Sequence, residues 1–494
     1  MYQNITIIQI FHWYTSNDGQ WWNTCTEHAK DLAERGITHV YLPPAYKSAW
    51  GNSEPGYSVY DLYDLGEFDQ KGTIRTKYGT KDEYLNCINE FHKNKVAVIA
   101  DIVLNHKQGG DEKESFLAKP VHLENRNDFT GEPIMIESFT KFNFPGRKGK
   151  YSNFEWNHNA FTGVDEMVND EKVIYSIQNE YGDKWEDVME EEFGNYDYLM
   201  GADIEYRNES VREEVINWGK WYVQTTGIDG FRMDAVKHIS PSFIKQWIVA
   251  LKEHFDKPFF VFSEYWQGNV DALIKYLDVT ENVTQLLDAP LHYNFYEASL
   301  QGNEYDLRTI FDGTLLQQRP EMTVTFVENH DTQPLQSLES PVEFWFKPLA
   351  YAIILLRQQG IPLVFYPCIF GACYSEEKDG AMHEINLDKV AEMDTLLHCR
   401  KDLAYGEQTD YFDHPNCVGW VRHGMEEKEN SGCVVLISNG DDGFKEMEVG
   451  KQHAGKIFTD CTQNITEEIT INENGTGNFL VKEKSVSVWV IKNS

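Results

Sequence analysis

The run Val96-Ala97-Val98-Ile99-Ala100-Asp101-Ile102-Val103-Leu104-Asn105-His106 decides the fold. Up to Leu104 it is apolar but for Asp101, with no strict alternation of apolar and polar residues. A strand wetted on one face alternates, whereas a strand covered on both faces reads as a near-continuous apolar run. This run therefore predicts a buried strand that leaves the core at Asn105-His106. Seven more segments read the same way: Ile5–Phe11, Ile37–Leu42, Gly230–Val236, Pro258–Ser263, Leu286–Leu291, Met322–Val327 and Ile361–Tyr366. Helix-like stretches lie between them, among them Thr24–Arg35, Lys81–Asn94, Val211–Thr225, Pro241–His254 and Phe346–Gln359. Eight buried strands alternating with helices predict an α/β fold, a (β/α)8 TIM barrel.

Two stretches break the rhythm. About 120 residues separate Asn105 from Gly227, and the part before residue 200 is polar, aromatic and turn-rich. That is too long for a loop, so an inserted subdomain is expected after strand three. Past about residue 398, short strand-like segments (Val418–Arg422, Cys433–Ser438, Glu446–Val449, Glu468–Ile471, Ser485–Ile491) are separated by turns such as Asn439-Gly440-Asp441-Asp442-Gly443. They predict a C-terminal antiparallel β domain, a β-sandwich. The expected bounds are 1–105 and 204–397 for the barrel, 106–203 for the insert and 398–494 for the C-terminal domain.

Composition narrows the function. The 494 residues carry a formal net charge of −35, from 79 acidic and 44 basic side chains. Such a surface repels phosphate backbones and anionic lipid, so neither nucleic acid nor membrane is an expected partner. A neutral polymer meets no such repulsion. The 13 Trp and 26 Tyr suit the flat C–H faces of sugars, although large cores also use aromatics. No run of 18 apolar residues occurs, and Met1–Tyr14 has neither a basic start nor a cleavage motif. The eight cysteines form no C-x-x-C pair and read as separate reduced thiols. A cytoplasmic monomer is the expectation.

Chemistry in such barrels sits at the C-terminal strand ends. There the chain places Asp101-Ile102-Val103-Leu104-Asn105-His106, then Arg232-Met233-Asp234 with Lys237-His238, then Glu264-Tyr265-Trp266, and Glu328-Asn329-His330-Asp331. So many ionisable groups beside apolar strands are costly to bury without a use. Glycosidic cleavage needs one carboxylic acid to protonate the leaving oxygen and another carboxylate to capture the oxocarbenium-like carbon. Asp234, Glu264 and Asp331 offer these groups. Arg232, two residues before Asp234, points to the same face and is expected to hold Asp234 ionised. The aromatic bulk of Tyr265 and Trp266 is expected to desolvate Glu264, as a general acid requires. No phosphate-gripping Gly-rich loop follows strand seven or eight, which leaves a barrel isomerase without support.

With these segments in view, the chain resembles the α-amylase family, glycoside hydrolase family 13, and above all its bacterial liquefying and cytoplasmic members. DIVLNH (101–106), GFRMDAVKH (230–238), SEYW (263–266), FVENHD (326–331), NYDYLMGAD (195–203) and GYSVYDLYDLGEFDQKGT (56–73) carry the resemblance in order. It implies endo-acting, retaining hydrolysis of α-1,4-glucosidic bonds in starch, glycogen or malto-oligosaccharides. Asp234 would be the nucleophile, Glu264 the acid/base and Asp331 the third carboxylate. Arg232, His106 and His330 would line the −1 sugar subsite, with Tyr57 stacked on that sugar. Lys237, His238 and Trp266 would face the aglycone side. It also implies Ca²⁺ between barrel and insert, held by Asn105, Asp197, Asp203 and the His238 carbonyl, with Asp165 and Asp187 completing a second cation site. Transglycosylation or exo-acting maltogenic cleavage uses the same three carboxylates, whereas a non-catalytic glycan-binding relative would lack one. Gly201 and Arg207 near the calcium loop, and FYPCIFG at 365–371, depart from the family pattern.

Overall fold

The computed structural model describes residues 4–182 and 184–492. Residues 1–3 and 493–494, counted in the outermost expected domain bounds, lie outside the described residues. Eight strands close into a barrel: β1 (Ile7–Gln9), β2 (His39–Leu42), β3 (Ala97–Ile102), β4 (Gly230–Met233), β5 (Phe260–Ser263), β6 (Gln285–Leu287), β7 (Thr323–Phe326) and β8 (Ile361–Phe365). Each pairs in parallel with its sequence neighbours, and β8 pairs with β1 to close the ring. All eight coincide with the apolar runs read from the sequence, although the strands are shorter. Leu286–Leu291 is split: the strand stops at Leu287, and Asp288 caps a helix by accepting from the Leu291 N–H (3.2 Å) with Pro290 in its first turn. Proline suits that first turn because its missing N–H has no helical partner there.

A helix follows each strand: α1 (Trp21–Arg35), α2 (Lys81–Lys93), α3 (Glu209–Thr226), α4 (Pro241–Phe255), α5 (Val270–Val279), α6 (Ala289–Gln301), α7 (Lys347–Leu356) and α8 (Met393–Asp402). Local sequence fixes their ends. Thr80 and Glu83 form a reciprocal capping box at the start of α2, and Gly36 takes a left-handed φ of 97° at the end of α1. The barrel interior is filled, not hollow. Ile7, Tyr41, Ile99, Phe262, Leu287, Val324, Phe326 and Leu363 pack there. β4 instead sends Arg232 inward, in register with Asp101 of β3 and Phe262 of β5. A buried guanidinium on the barrel axis needs carboxylate partners, and this requirement organises the site.

The chain leaves the barrel after β3 and builds a six-stranded antiparallel sheet before returning at α3. Its spatial order is His106–Lys107, Ala202–Ile204, Phe161–Val168, Glu171–Ile177, Glu112–Val121, Ile134–Lys141. Asp203 pairs with His106, so the sheet is anchored directly at the barrel rim. A hairpin, Ala372–Lys378 with Ala381–Leu387, projects after β8. The C-terminal domain holds a six-stranded sheet running, in space, Gln408–His414, Cys417–Arg422, Cys433–Ser438, Ser485–Ile491, Ile457–Asp460, Ile469–Thr470, together with the hairpin Gly443–Glu448 and Thr476–Val481. Arg357, just past α7, ties it to the barrel with two bonds to Asp410 (2.7 and 2.8 Å). Among the described residues no helix is long and apolar enough to cross a membrane.

Candidate active site

The rim is continuous with the strands. The Asp234 N–H bonds the Ile102 carbonyl (2.9 Å), the Glu264 N–H bonds the Met233 carbonyl (2.9 Å), and the Val236 N–H bonds the Glu264 carbonyl (3.1 Å). Strand-type bonding thus extends past β4 and β5 and holds both acidic residues on rigid backbone.

Arg232 sits at the centre, 1% exposed. Its Nη1 donates to Asp101 Oδ1 (2.9 Å) and Asp234 Oδ1 (2.6 Å), and its Nη2 donates to Glu264 Oε2 (2.7 Å). Glu264 Oε2 also accepts the Ala235 N–H (3.2 Å). The other oxygen of Asp101 accepts from Tyr41 (2.7 Å) and Tyr57 (2.6 Å) hydroxyls. One guanidinium therefore serves three carboxyls, and Asp331 lies close enough to add its own field. Burial, with the neighbouring carboxyls of Glu264, Asp101 and Asp331, pushes the Asp234 carboxyl well above the usual range against the pull of Arg232. Arg232 therefore does not hold Asp234 low, because burial and the neighbouring carboxyls outweigh its pull. Burial also raises Asp331 to about 6. The uncompensated negative charge is suited to a positively charged carbon forming among these groups.

His330 and His106 are both buried and neutral, with burial lowering them to about 3 and about 4. His106 Nε2–H donates to the Tyr57 carbonyl (2.9 Å), leaving Nδ1 to face the Asn105 amide (3.4 Å). His330 Nε2 lies 3.3 Å from Asp331 Oδ2. Tyr57 and Trp13 lie nearly parallel to the His330 ring, the Tyr57 centroid 5.1 Å and the Trp13 centroid 6.0 Å away, and 5.5 Å from each other. This aromatic wall beside the carboxyls is suited to the apolar face of a sugar.

Other expected residues are placed differently. Lys237 reaches toward Glu192 of the insert (3.7 Å) and over the Tyr196 ring (5.0 Å). His238 is buried, its Nδ1 2.6 Å from the Tyr196 carbonyl. Trp266 is largely core: it packs on His292 and Phe326, and its indole N–H donates to Tyr293 (2.9 Å).

The expected metal ligands fall into separate groups. Asn105, Asp197 and Asp203 are buried, together with Glu186 and Glu205. The Asn105 amide donates to Asp203 (3.2 Å), Thr162 donates to the other Asp203 oxygen, and Asp197 accepts the Glu186 N–H (3.0 Å). Burial and mutual repulsion push Asp203 and Glu186 well up, and burial takes Asp197 to about 7. Arg207 pairs with Glu205 (2.7 Å). Asp165 lies apart, bonded by Tyr198 and the Gly201 N–H and paired with Lys172 (3.3 Å). Asp187 is exposed, while its neighbour Glu186 faces inward. Among the described residues no three His, Cys, Asp or Glu side chains are gathered as a metal cluster. The donor set still fits a hard cation in kind: carboxylate and amide oxygens, buried, with more negative charge than Arg207 offsets.

The sequence reading missed Asp101, Tyr41 and Gln9 at the rim and Glu186 and Glu205 in the insert. Asp101 had a signal, a lone carboxylate inside a buried strand. Glu186 had none that separated it from Asp187.

Residues 14–367 match the alpha amylase catalytic domain and residues 433–490 the alpha-amylase C-terminal domain. The chain belongs to the alpha-amylase family. It is 47% identical over 493 residues to the cytoplasmic alpha-amylase of Escherichia coli strain K12, covering 99% of each chain. It is 46% identical to an alpha-amylase of Geobacillus stearothermophilus, covering 99% of this chain and 87% of that one. An alpha-amylase from Geobacillus thermoleovorans solved with acarbose shares the fold, with a TM-score of 0.66 at 18% identity over 99% of this chain and 98% of that one.

Proposed function

We propose that the chain is an endo-acting α-amylase that hydrolyses α-1,4-glucosidic bonds of starch, glycogen or malto-oligosaccharides with retention. One observation carries the reading: the Arg232 guanidinium is forked between Asp234 and Glu264 at the C-terminal mouth of the barrel. That fork keeps the two carboxyls close, as the retaining geometry of about 5–5.5 Å requires. Glu264 gives its proton to the glycosidic oxygen while Asp234 attacks the anomeric carbon, and the carbon–oxygen bond breaks. Glu264 then takes a proton from water, whose oxygen displaces Asp234 from the same carbon. Asp331 and His330 grip hydroxyls of the −1 sugar, and Tyr57 and Trp13 provide its apolar wall. Lys237 and Trp266 reach an aglycone sugar only along their exposed edges. The name of the Escherichia coli relative supports a cytoplasmic location.

Calcium belongs to the same reading. Asn105, Asp197, Asp203 and the His238 carbonyl would hold it, and when bound it supplies positive charge that the buried carboxyls lack. Arg207 already neutralises part of that charge, which favours one cation over two. Asp165 has its own partners and Asp187 faces water, so neither is assigned to this cation.

The test is the anomeric form of the first product. Proton NMR of maltoheptaose digests should show the α-anomer first, decaying to the mutarotated mixture. The β-anomer first would refute retention, and with it Asp234 as the nucleophile.

A further inference from the structure

We propose that Gln9 is a positioning residue that fixes the orientation and proton placement of His330, so that the ring presents Nε2–H to Asp331 and the sugar held there. The inference rests on the active-site reading above and extends it to a strand that carries none of the expected groups.

Gln9 ends β1, fully buried and in register with Tyr41 of β2 and Phe365 of β8. Its Nε2 lies 2.8 Å from His330 Nδ1. An amide nitrogen only donates, so Nδ1 must hold its lone pair free. The ring is neutral, and its single proton then sits on Nε2. That nitrogen is the one that lies near Asp331, 3.3 Å from its Oδ2. The reverse amide orientation fails on charge. It would place an oxygen against Nδ1, draw the proton there, and turn the Nε2 lone pair toward the Asp331 carboxylate. Gln9 Oε1 has no hydrogen-bond partner among the described residues, so the bond to His330 is not in competition with one made by that oxygen.

Packing removes the remaining freedom. Trp13 lies parallel to the His330 ring (4°), Tyr57 nearly so (14°), and Phe11 closes a third side at 5.1 Å. These contacts set the ring plane but not its flip, because a half-turn leaves the plane unchanged. A flip would put carbon opposite Gln9 and lose the bond. The aromatic stack therefore fixes the plane, and Gln9 fixes the flip and the tautomer. Partners that orient a metal-ligating histidine through its other ring nitrogen are worth about 10–100-fold, and the same scale is expected for Gln9.

The experiment is ¹⁵N-histidine NMR of the full chain, with His330 assigned by the signals lost in His330→Asn. The wild type should show one tautomer, protonated at Nε2. Gln9→Leu should give mixed tautomers and lower kcat/KM on maltoheptaose by about 10–100-fold, with the melting temperature held. Gln9→Glu, nearly the same shape, should move the proton to Nδ1 and lose as much activity, which a purely structural role would not produce. A wild-type His330 protonated at Nδ1 overturns the proposal. So does a Gln9→Leu variant that keeps the single Nε2–H tautomer and full kcat/KM. If Gln9→Leu does not fold, the wild-type and Gln9→Glu spectra decide. A wild type that hydrolyses no glucan refutes the amylase reading, while the spectra still decide the role of Gln9.

Discussion

Asp331→Asn should abolish activity and stabilise the protein. The structure raises the Asp331 carboxyl from 3.8 to about 6, chiefly by burial. Between those values the folded chain holds the proton more tightly than the unfolded chain does. Stability therefore falls as pH rises through that window, and the penalty is complete above it. At about 1.36 kcal/mol per pH unit the loss at pH 7 is about 3 kcal/mol. Its side chain keeps 17% exposure, so solvent screening makes that figure an upper end. Asparagine has the same shape and never ionises, so the penalty disappears. With an unfolding entropy of about 2.1 cal/mol/K per residue, 494 residues convert about 3 kcal/mol into a rise of about 3 °C. At pH 4.5 most of the penalty is already absent, and the gain should shrink to about 1 °C by the same arithmetic. Scanning calorimetry at the two pH values, with starch hydrolysis measured in parallel, reads all of this. A variant that melts at or below the wild type at pH 7 refutes the reasoning, as does a gain that grows toward pH 4.5.

Asp234→Asn should keep the fold and lose about 10⁴-fold in starch hydrolysis, the scale typical of a removed covalent-catalysis group; a folded variant above about 1% of wild-type activity contradicts its role as nucleophile. Chelation should lower the melting temperature, since a cation at a hundredfold excess over its Kd contributes about 2.7 kcal/mol, and Asp203→Ala should melt at one temperature with or without chelator. Wild type unchanged in both melting and activity by chelation would mean that Arg207 and the local hydrogen bonds hold the insert without calcium.

Most of the barrel was legible because burial on both faces writes itself directly into composition. The boundary between β6 and α6 was not. At α6 the apolar run passes unbroken from strand into helix, and Asp288 and Pro290 were the stop signals. The insert was expected but its strands were not read, because the distal ones, Glu112–Val121 and Ile134–Lys141, expose much of their length and carry Glu, Lys, Ser and Thr. At the rim, residues two apart on one strand were readable as sharing a face, which gave Arg232 with Asp234. Asp101 lies 131 positions away, and only barrel register brings it to Arg232. Gln9 is further from its partner still, at 321 positions. Between Glu186 and Asp187 the chain is irregular, and without a period nothing in the sequence selects which carboxyl turns inward.

The buried carboxyls of the rim and those of the insert differ in how their charge is met, and that difference separates chemistry from structure. In the insert, Glu205 has its own guanidinium and Asp203 its own hydroxyl and amide partners, so the remaining negative charge can be met by a resident ion. At the rim, Arg232 is divided among Asp101, Asp234 and Glu264, and the tyrosine bonds stop at Asp101. A permanent cation there would quench the nucleophile. A deficit filled only while the anomeric carbon carries positive charge lowers the barrier without stabilising the resting enzyme. The same deficit makes Asp331 costly to keep ionised, which is why its removal should raise stability as it removes activity.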